Sequence, residues 1–224
     1  YSYSHFTLAD HVFEIACREG NIVKQVTINL YEFKELESDA KEKARHNFLE
    51  RIGWDLATDD VREYYRERLR ELHLPNEEVY FSLSYSQGDG MAFYGDIYSI
   101  GDVMKASGEW TNEEVDKMLD IEEKAEVTFS IKSNSHRYHN WATMTLVAVP
   151  SYEGELTEDE MKFFHRVVEW LRQYIVNVSK KLEKEGYNIL DDASSDGFIQ
   201  DFCENNGWMF RKDGRMEFLL ALPD

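Results

Sequence analysis

Between residues 157 and 186 the chain places Phe164, Val168, Leu171, Ile175, Val178 and Leu182 at steps of four, three, four, three and four. That spacing keeps one apolar stripe on the same side of a helix for about five turns. Thr157 with Glu160 three residues later forms a capping box at its start, and Gly186 predicts its end. A stripe of this length must lie against an apolar surface, and the preceding sequence supplies one. Val79, Phe81, Leu83 and Tyr85 alternate with Tyr80, Ser82 and Ser84. Met91, Phe93 and Ile97 alternate with Ala92, Tyr94, Asp96 and Tyr98, and the two runs are joined by Ser86-Gln87-Gly88-Asp89-Gly90. Period-two runs across such a turn predict a β-hairpin. Val127, Phe129 and Ile131, and then residues 141–149, predict two further strands joined by the polar segment 133–140. No repeat or linker divides the chain, so residues 1–224 read as a single α+β domain, an antiparallel sheet of hairpins covered by long amphipathic helices.

The remaining pattern fills in around this core. Residues 1–20 are a weakly patterned N-terminal extension in which Phe6, Val12, Phe13 and Ile15 suggest one short helix ending at Gly20. Residues 21–31 read as a strand. Ser38 caps a helix to about Ile52, with Ala40, Ala44, Phe48 and Ile52 on one edge. Gly53 marks a break, with Trp54 packed under the turn, and a second helix at 59–74 turns Val61, Tyr65, Leu69 and Leu72 inward before Pro75. Thr111 and Glu114 form another capping box, opening a helix to about Asp120. A last helix at 191–206 closes at Gly207, and residues 208–211 and 216–222 form a closing hairpin around Lys212-Asp213-Gly214.

Composition narrows the function classes. The chain has 25 Lys and Arg against 44 Asp and Glu, a formal net charge of −19, which opposes a basic nucleic-acid groove or adsorption to an anionic membrane. Hydrophobic residues make up 42% and aromatics 14%, too much for a disordered chain. Cys17 and Cys203 read as small buried hydrophobes in a reducing compartment. No run of about 18 apolar residues predicts a membrane span, and no leader-like segment opens the chain.

The acidic residues concentrate at 109–126, 153–160 and 183–204. Such stretches can be plain solvated surface. Alternatively, Glu113, Glu114, Asp116, Asp120, Glu155, Glu158 and Asp159 are candidates for phosphate mimicry, because carboxylates spaced along an edge can occupy a partner's nucleic-acid channel. The two polar hairpin turns give a second set of candidates: Gln87 and Asp89 in one, His136, Tyr138 and His139 in the other. The 86–90 turn lacks the lysine and serine or threonine of a phosphate loop and is followed by a strand. Gly88 and Gly90 fit positive backbone torsions there, with Asp89 as turn former. Asp89, His136 and His139 would make an incomplete metal site, with no metalloprotease helix and no paired cysteines. There is no nucleophile elbow and no cysteine signature, so no enzyme and no cofactor is predicted. Tyr80, Tyr85, Tyr94, Tyr98 and Trp141 fall on strands, where their polar tips can line a binding surface.

Residues 30–36 (LYEFKEL), 38–45 (SDAKEKAR), Phe81-Ser82 and 86–95 (SQGDGMAFYG) resemble a family of small acidic proteins from tailed bacteriophages, often labelled antitoxin of a toxin-antitoxin stability system. The 133–140 turn with Thr143-Met144, and residues 202–214, are similar to its later blocks. The resemblance covers about residues 26–216 and leaves out the first twenty. It implies a phage accessory protein in the host bacterial cytoplasm, a class rich in inhibitors of host defence such as anti-CRISPR proteins, and it carries no catalytic mechanism. The expected function is therefore a non-enzymatic inhibitor of a nucleic-acid-handling host defence protein, acting through a phosphate-mimicking acidic surface without binding nucleic acid itself. The alternatives are a small-nucleotide sponge seated at the two polar turns, and an antitoxin-like partner protein.

Overall fold

The second strand of the central hairpin starts one residue earlier than its spacing predicts, and its first five residues, Gly90 to Tyr94, are buried one after another, so the sheet built around them is covered on both faces. The computed structural model describes residues 12–19, 22–135, 137–151 and 156–218, with side chains between residues 28 and 217. In chain order the elements are β1 (Val12–Glu19), β2 (Ile22–Tyr31), α1 (Ser38–Phe48), α2 (Trp54–Glu71), β3 (Glu78–Ser82), β4 (Gly90–Ile97), α3 (Ile100–Ser107), α4 (Asn112–Ala125), β5 (Thr128–Ser133), β6 (Met144–Val149), α5 (Glu158–Ala193), α6 (Asp196–Asn205), β7 (Trp208–Arg211) and β8 (Met216–Phe218). The protein is α+β, and each sheet is antiparallel. Chain contacts group it into two units, residues 1–58 with 190–224, and residues 59–189.

The first unit pairs its strands in the order β1-β2-β7-β8. Its core holds Phe33, Leu36, Ala44, Phe48, Ile199, Cys203, Phe210 and Met216. Phe48 meets Phe202 edge-on at 5.3 Å and Trp208 at 6.1 Å, a geometry that sets a ring's positive edge on its neighbour's negative face. Burial pushes the Cys203 thiol up to about 12, which leaves it protonated and unreactive. Gly214 is required at the β7–β8 turn, because its φ is 81° and a β-carbon there would lie 2.2 Å from the Ala40 carbonyl oxygen.

The second unit is the meander β3-β4-β5-β6, with α3 and α4 inserted between β4 and β5. Paired residues share a face, so Val79, Phe81, Met91, Phe93, Ile97, Phe129, Ile131 and Leu146 line one side. Helices α2 and α5 cover that side. The Tyr65 ring lies 5.3 Å from Phe81, Phe164 lies 6.2 Å from Phe129, and the Ser179 hydroxyl donates to the Met91 carbonyl. All six residues of the α5 stripe are buried, as the spacing predicts.

Several boundaries differ from the sequence reading, each for a local reason. Residues 12–19 form a strand instead of a short helix, because residues 22–29 supply a full antiparallel partner from Val12↔Asn29 to Glu19↔Ile22; Phe6 lies outside the described residues. Ser38 begins α1, and Glu37 before it is the cap without a side-chain bond. No break occurs at Gly53. A π-helical turn, Leu49–Gly53, carries α1 into α2, and Trp54 is 44% exposed instead of packed under a turn. Gly53 serves contact, since a β-carbon there would sit 2.9 Å from Leu49 Cδ2. The first strand of the central hairpin stops at Ser82, and α3, hidden behind a Ser99 cap, was not predicted. Helix α4 continues past Asp120 to Ala125. Trp141 opens a 3-10 turn, Trp141–Thr143, instead of the strand that follows it. Gly186 does not end α5, which runs on to Ala193, so the last helix starts at Asp196. Of the closing hairpin, residues 219–222 lie outside the described residues. The capping boxes at Thr111 and Thr157 form as predicted.

Gly186 shows what a mid-helix glycine can be for. A β-carbon there would lie 1.9 Å from the Tyr65 hydroxyl oxygen and 2.8 Å from Leu83 Cδ1. That hydroxyl is fully buried with no hydrogen-bond partner among the described residues, and burial raises its pKa. Gly186→Ala is expected to destabilise by about 1–3 kcal/mol through overpacking, despite the helix propensity it gains. Tyr65→Phe removes an unpaired buried oxygen and is expected to cost nothing in stability. The double variant recovers part of the Gly186→Ala loss in urea denaturation, a coupling that two independent sites would not show.

Candidate functional site

Between β3 and β4 the Asp89 carboxylate organises the turn. It accepts from the Ser84 N–H at 2.6 Å, the Ser86 N–H at 2.9 Å, the Ser82 hydroxyl at 2.8 Å, the Ser84 hydroxyl at 3.0 Å and the Ser86 hydroxyl at 3.1 Å. The Tyr187 hydroxyl of α5 donates to it at 2.7 Å. Burial pushes this carboxyl up, but the donors from Ser86, Tyr187, Ser82 and Ser84 outweigh burial and hold it well below the usual carboxylate range. Burial, and then the bond to Asp89, push Tyr187 up to about 12. Gly88 and Gly90 have φ of 100° and 146°, as the turn reading expects, and Tyr85 at φ 56° sets its ring, tilted by 30°, 4.4 Å from that of Tyr187.

The β5–β6 connection folds onto this turn. Ser135 Oγ accepts from the N–H groups of Arg137 and Tyr138, each at 3.2 Å, and Asn140 caps the 3-10 turn that follows. The Tyr138 ring covers Gly88, where a β-carbon would be 2.8 Å away, and Asn140 covers Gly90, where it would be 2.4 Å away. The same connection covers the sheet face opposite α5. His139 stacks on Tyr80 at 4.6 Å, and its Nδ1 lies 3.2 Å from the Tyr94 hydroxyl, which is also 3.2 Å from Thr143 Oγ1. Ala92 and Tyr94 are buried as a result. The surface so formed exposes Tyr80 at 43%, Tyr138 at 43%, Trp141 at 41% and Tyr85 at 73%. Arg137 lies over Tyr138 and Lys180 of α5 over Trp141, at 5.3 and 4.1 Å. The structure thus brings Gln87, Asp89, Tyr138 and His139 together, while His136 lies outside the described residues. Asp89 has no free lone pairs to offer a metal, and no group of three metal-ligating side chains occurs among the described residues.

The acidic candidates divide by use. Glu114 closes the α4 capping box and pairs with Arg166 at 2.6 Å; the Thr111 N–H and then Arg166 lower its pKa. Glu160 does the same at the start of α5 with Thr157 and Lys124, which hold it at about 2. These two pairs place α4 antiparallel beside the first turns of α5. Glu158 and Asp159 share Lys162, at 2.6 and 3.8 Å, and Glu155 lies outside the described residues. Glu113, Asp116 and Asp120 are exposed with no ion pair among the described residues, and Glu123 joins them on one side of α4. Glu113 also borders an open cleft of about 650 Å³ lined in part by Lys117, Phe163 and Arg166.

Sequence reasoning did not single out Arg137, Asn140, Lys180 or Tyr187. A usable signal was present: residues 127–152 contain no Asp or Glu, in a chain with 44 among 224. The fold and these surfaces define an acidic α+β protein with an ordered aromatic face at its hairpin ends and a free carboxylate row on α4. The chain belongs to the DUF8835 family, a domain of unknown function, whose model matches residues 38–192, from α1 through both hairpin turns into α5. Neither the curated proteins nor the solved structures contain a significant match. No helix among the described residues is long and apolar enough to cross a membrane.

The Asp89 carboxyl sits below its unfolded value of about 3.9, so its stabilisation is complete above about pH 5 and is lost as pH falls below about 4. Asp89→Asn is expected to lower stability at pH 7 by about 1–2 kcal/mol, a charged hydrogen-bond contribution discounted for solvent screening. Chemical denaturation of both proteins from pH 7 to pH 2 checks this, because the gap between them should close toward the acid end.

Proposed function

We propose that the protein is a non-enzymatic, phage-encoded inhibitor that acts in the cytoplasm of an infected bacterium on a nucleic-acid-handling defence protein, with α4 carboxylates in place of phosphates. The supporting observation is the row Glu113, Asp116, Asp120 and Glu123. These side chains lie opposite the buried residues Val115, Met118, Ile121 and Ala125, so the helix can be gripped from the acidic side without disturbing its packing. Ten residues of helix rise about 15 Å, giving a carboxylate every ~5 Å, against a phosphate every ~3.4 Å along one DNA strand. A net charge of −19 adds long-range steering toward a basic channel. The phage origin and the bacterial cytoplasm are supported by the resemblance of residues 26–216 to tailed-phage proteins.

Immobilised protein is incubated with bacterial lysate at rising salt. A retained nucleic-acid-handling protein that elutes as salt increases, and whose retention drops about tenfold with Glu113→Gln, Asp116→Asn, Asp120→Asn and Glu123→Gln combined, is the expected result. Retention of no such protein at low salt, or full retention by the fourfold variant, sinks the reading.

A further inference from the structure

The hairpin-end face differs in charge from the rest of this chain. Its loops come from a stretch of 26 residues without a carboxylate, and the one carboxylate of the neighbouring turn, Asp89, is spent on the Ser82, Ser84, Ser86 and Tyr187 donors. Glu183 of α5 is the next carboxyl, with an oxygen 3.5 Å from where a β-carbon on Gly90 would lie; burial and then Asp89 raise its pKa, and Lys180 opposes that rise. The other carboxylates of the same sheet face, Glu78 and Asp96, sit at the far end of β3 and β4 from the loops. Lys132 and Arg137 have no carboxylate partner among the described residues, and Lys180 lies over an exposed indole. An acidic protein therefore presents one patch where cations and exposed rings coincide and carboxylates are few. Chance placement of aromatic core residues does not account for it, because Tyr138 and Trp141 stand on a loop whose backbone is held by Ser135, Asn140 and Thr143.

We propose that this face binds a nucleotide, with the base stacked on Tyr138 and the phosphate beside Arg137, and with Trp141 and Lys180 as a second ring and cation at the same connection. Arg137 and Lys180 now occupy the ring faces. An exposed cation–π contact is weaker than base–aromatic stacking, so a base displaces Arg137 and leaves it beside the phosphate. The exposed amide of Gln87 on the facing turn is available to the base edge. The rings are pre-positioned, since Tyr138 is seated on Gly88 and the turn beneath is fixed by Asp89, so little ordering entropy opposes binding. The ligand's chemistry is shared by a free nucleotide and by an unpaired strand. This site is independent of the α4 carboxylates.

The test titrates the full chain in low salt with fluorescent ATP and GTP analogues and with a fluorescein-labelled decathymidylate, reading anisotropy. Saturable binding that weakens with salt is expected, with about tenfold loss for Tyr138→Ala and for Arg137→Ala, both exposed positions whose variants keep the wild-type circular dichroism spectrum. Binding by the nucleotide analogues assigns a free nucleotide, and binding by the decathymidylate alone assigns an unpaired strand. The fourfold α4 variant keeps nucleotide binding, which separates this site from the partner surface. No saturable binding to any probe at millimolar concentration, undiminished wild-type binding by both single variants, or a loss confined to the α4 variant overturns the proposal.

Discussion

Strand β4 must be screened from water on both faces, and the two faces are screened by different means. Helices α2 and α5 cover one with Tyr65, Phe164 and the rest of the α5 stripe, a large apolar contact that carries most of the burial. The other has no helix among the described residues. A polar loop covers it with His139, Thr143 and Asn140, just enough to bury Ala92 and Tyr94. A loop that screens a sheet in this way cannot bury its own aromatic residues as well. Tyr138 and Trp141 are left at the surface by the same geometry that protects Tyr94.

Asp89 ties the two sides of that sheet together. Its carboxylate draws in three serines of one turn and the tyrosine of a helix that packs on the opposite face. A neutral side chain at this position could not match so many donors, because only an ionised carboxylate accepts in every direction. The clamp holds Gly88 and Gly90 at torsions that leave them bare, and bare glycines are what let Tyr138 and Asn140 approach closely enough to join the loops. The Asp-Gly pair therefore does more than turn a hairpin: it prepares the seat for the second loop.

The sequence made the periodic parts of this fold legible. The α5 stripe, both capping boxes and the central hairpin follow from spacings that few other structures satisfy. Glycine was the recurrent source of error. Gly53 and Gly186 read as stops because a lone glycine weakens a helix, yet each sits where Phe48 and Leu49, or Tyr65, come too close for a β-carbon. The Tyr65 contact is long-range and leaves no local trace, and the Phe48 and Leu49 contacts depend on a π-helical turn that apolar spacing does not reveal. Helix α3 went unseen for the opposite reason, since Ile100, Gly101, Val103 and Met104 are all buried and the segment has little polar face to give it a period. At the candidate site the two turns were legible as polar hairpin ends. Their union was not, because it depends on glycines in one loop facing side chains in the other.

Net charge alone says little about what the acidic residues do. Glu114 and Glu160 close capping boxes and pair with Arg166 and Lys124, so the candidate Glu114 and its counterpart Glu160 are spent on joining α4 to α5. In the first unit Asp196 pairs with Arg45, and Glu204 with Lys34, in the same structural way. Once these are set aside, the chain carries its free charge unevenly: a row on the solvent side of α4, and a stretch of 26 residues with none. Solubility alone would be served by an even spread. An uneven one costs repulsion along α4 and forgoes screening around the exposed rings, and both costs make physical sense when each surface has a ligand of opposite character, a basic partner for the helix and an anionic aromatic one for the hairpin ends.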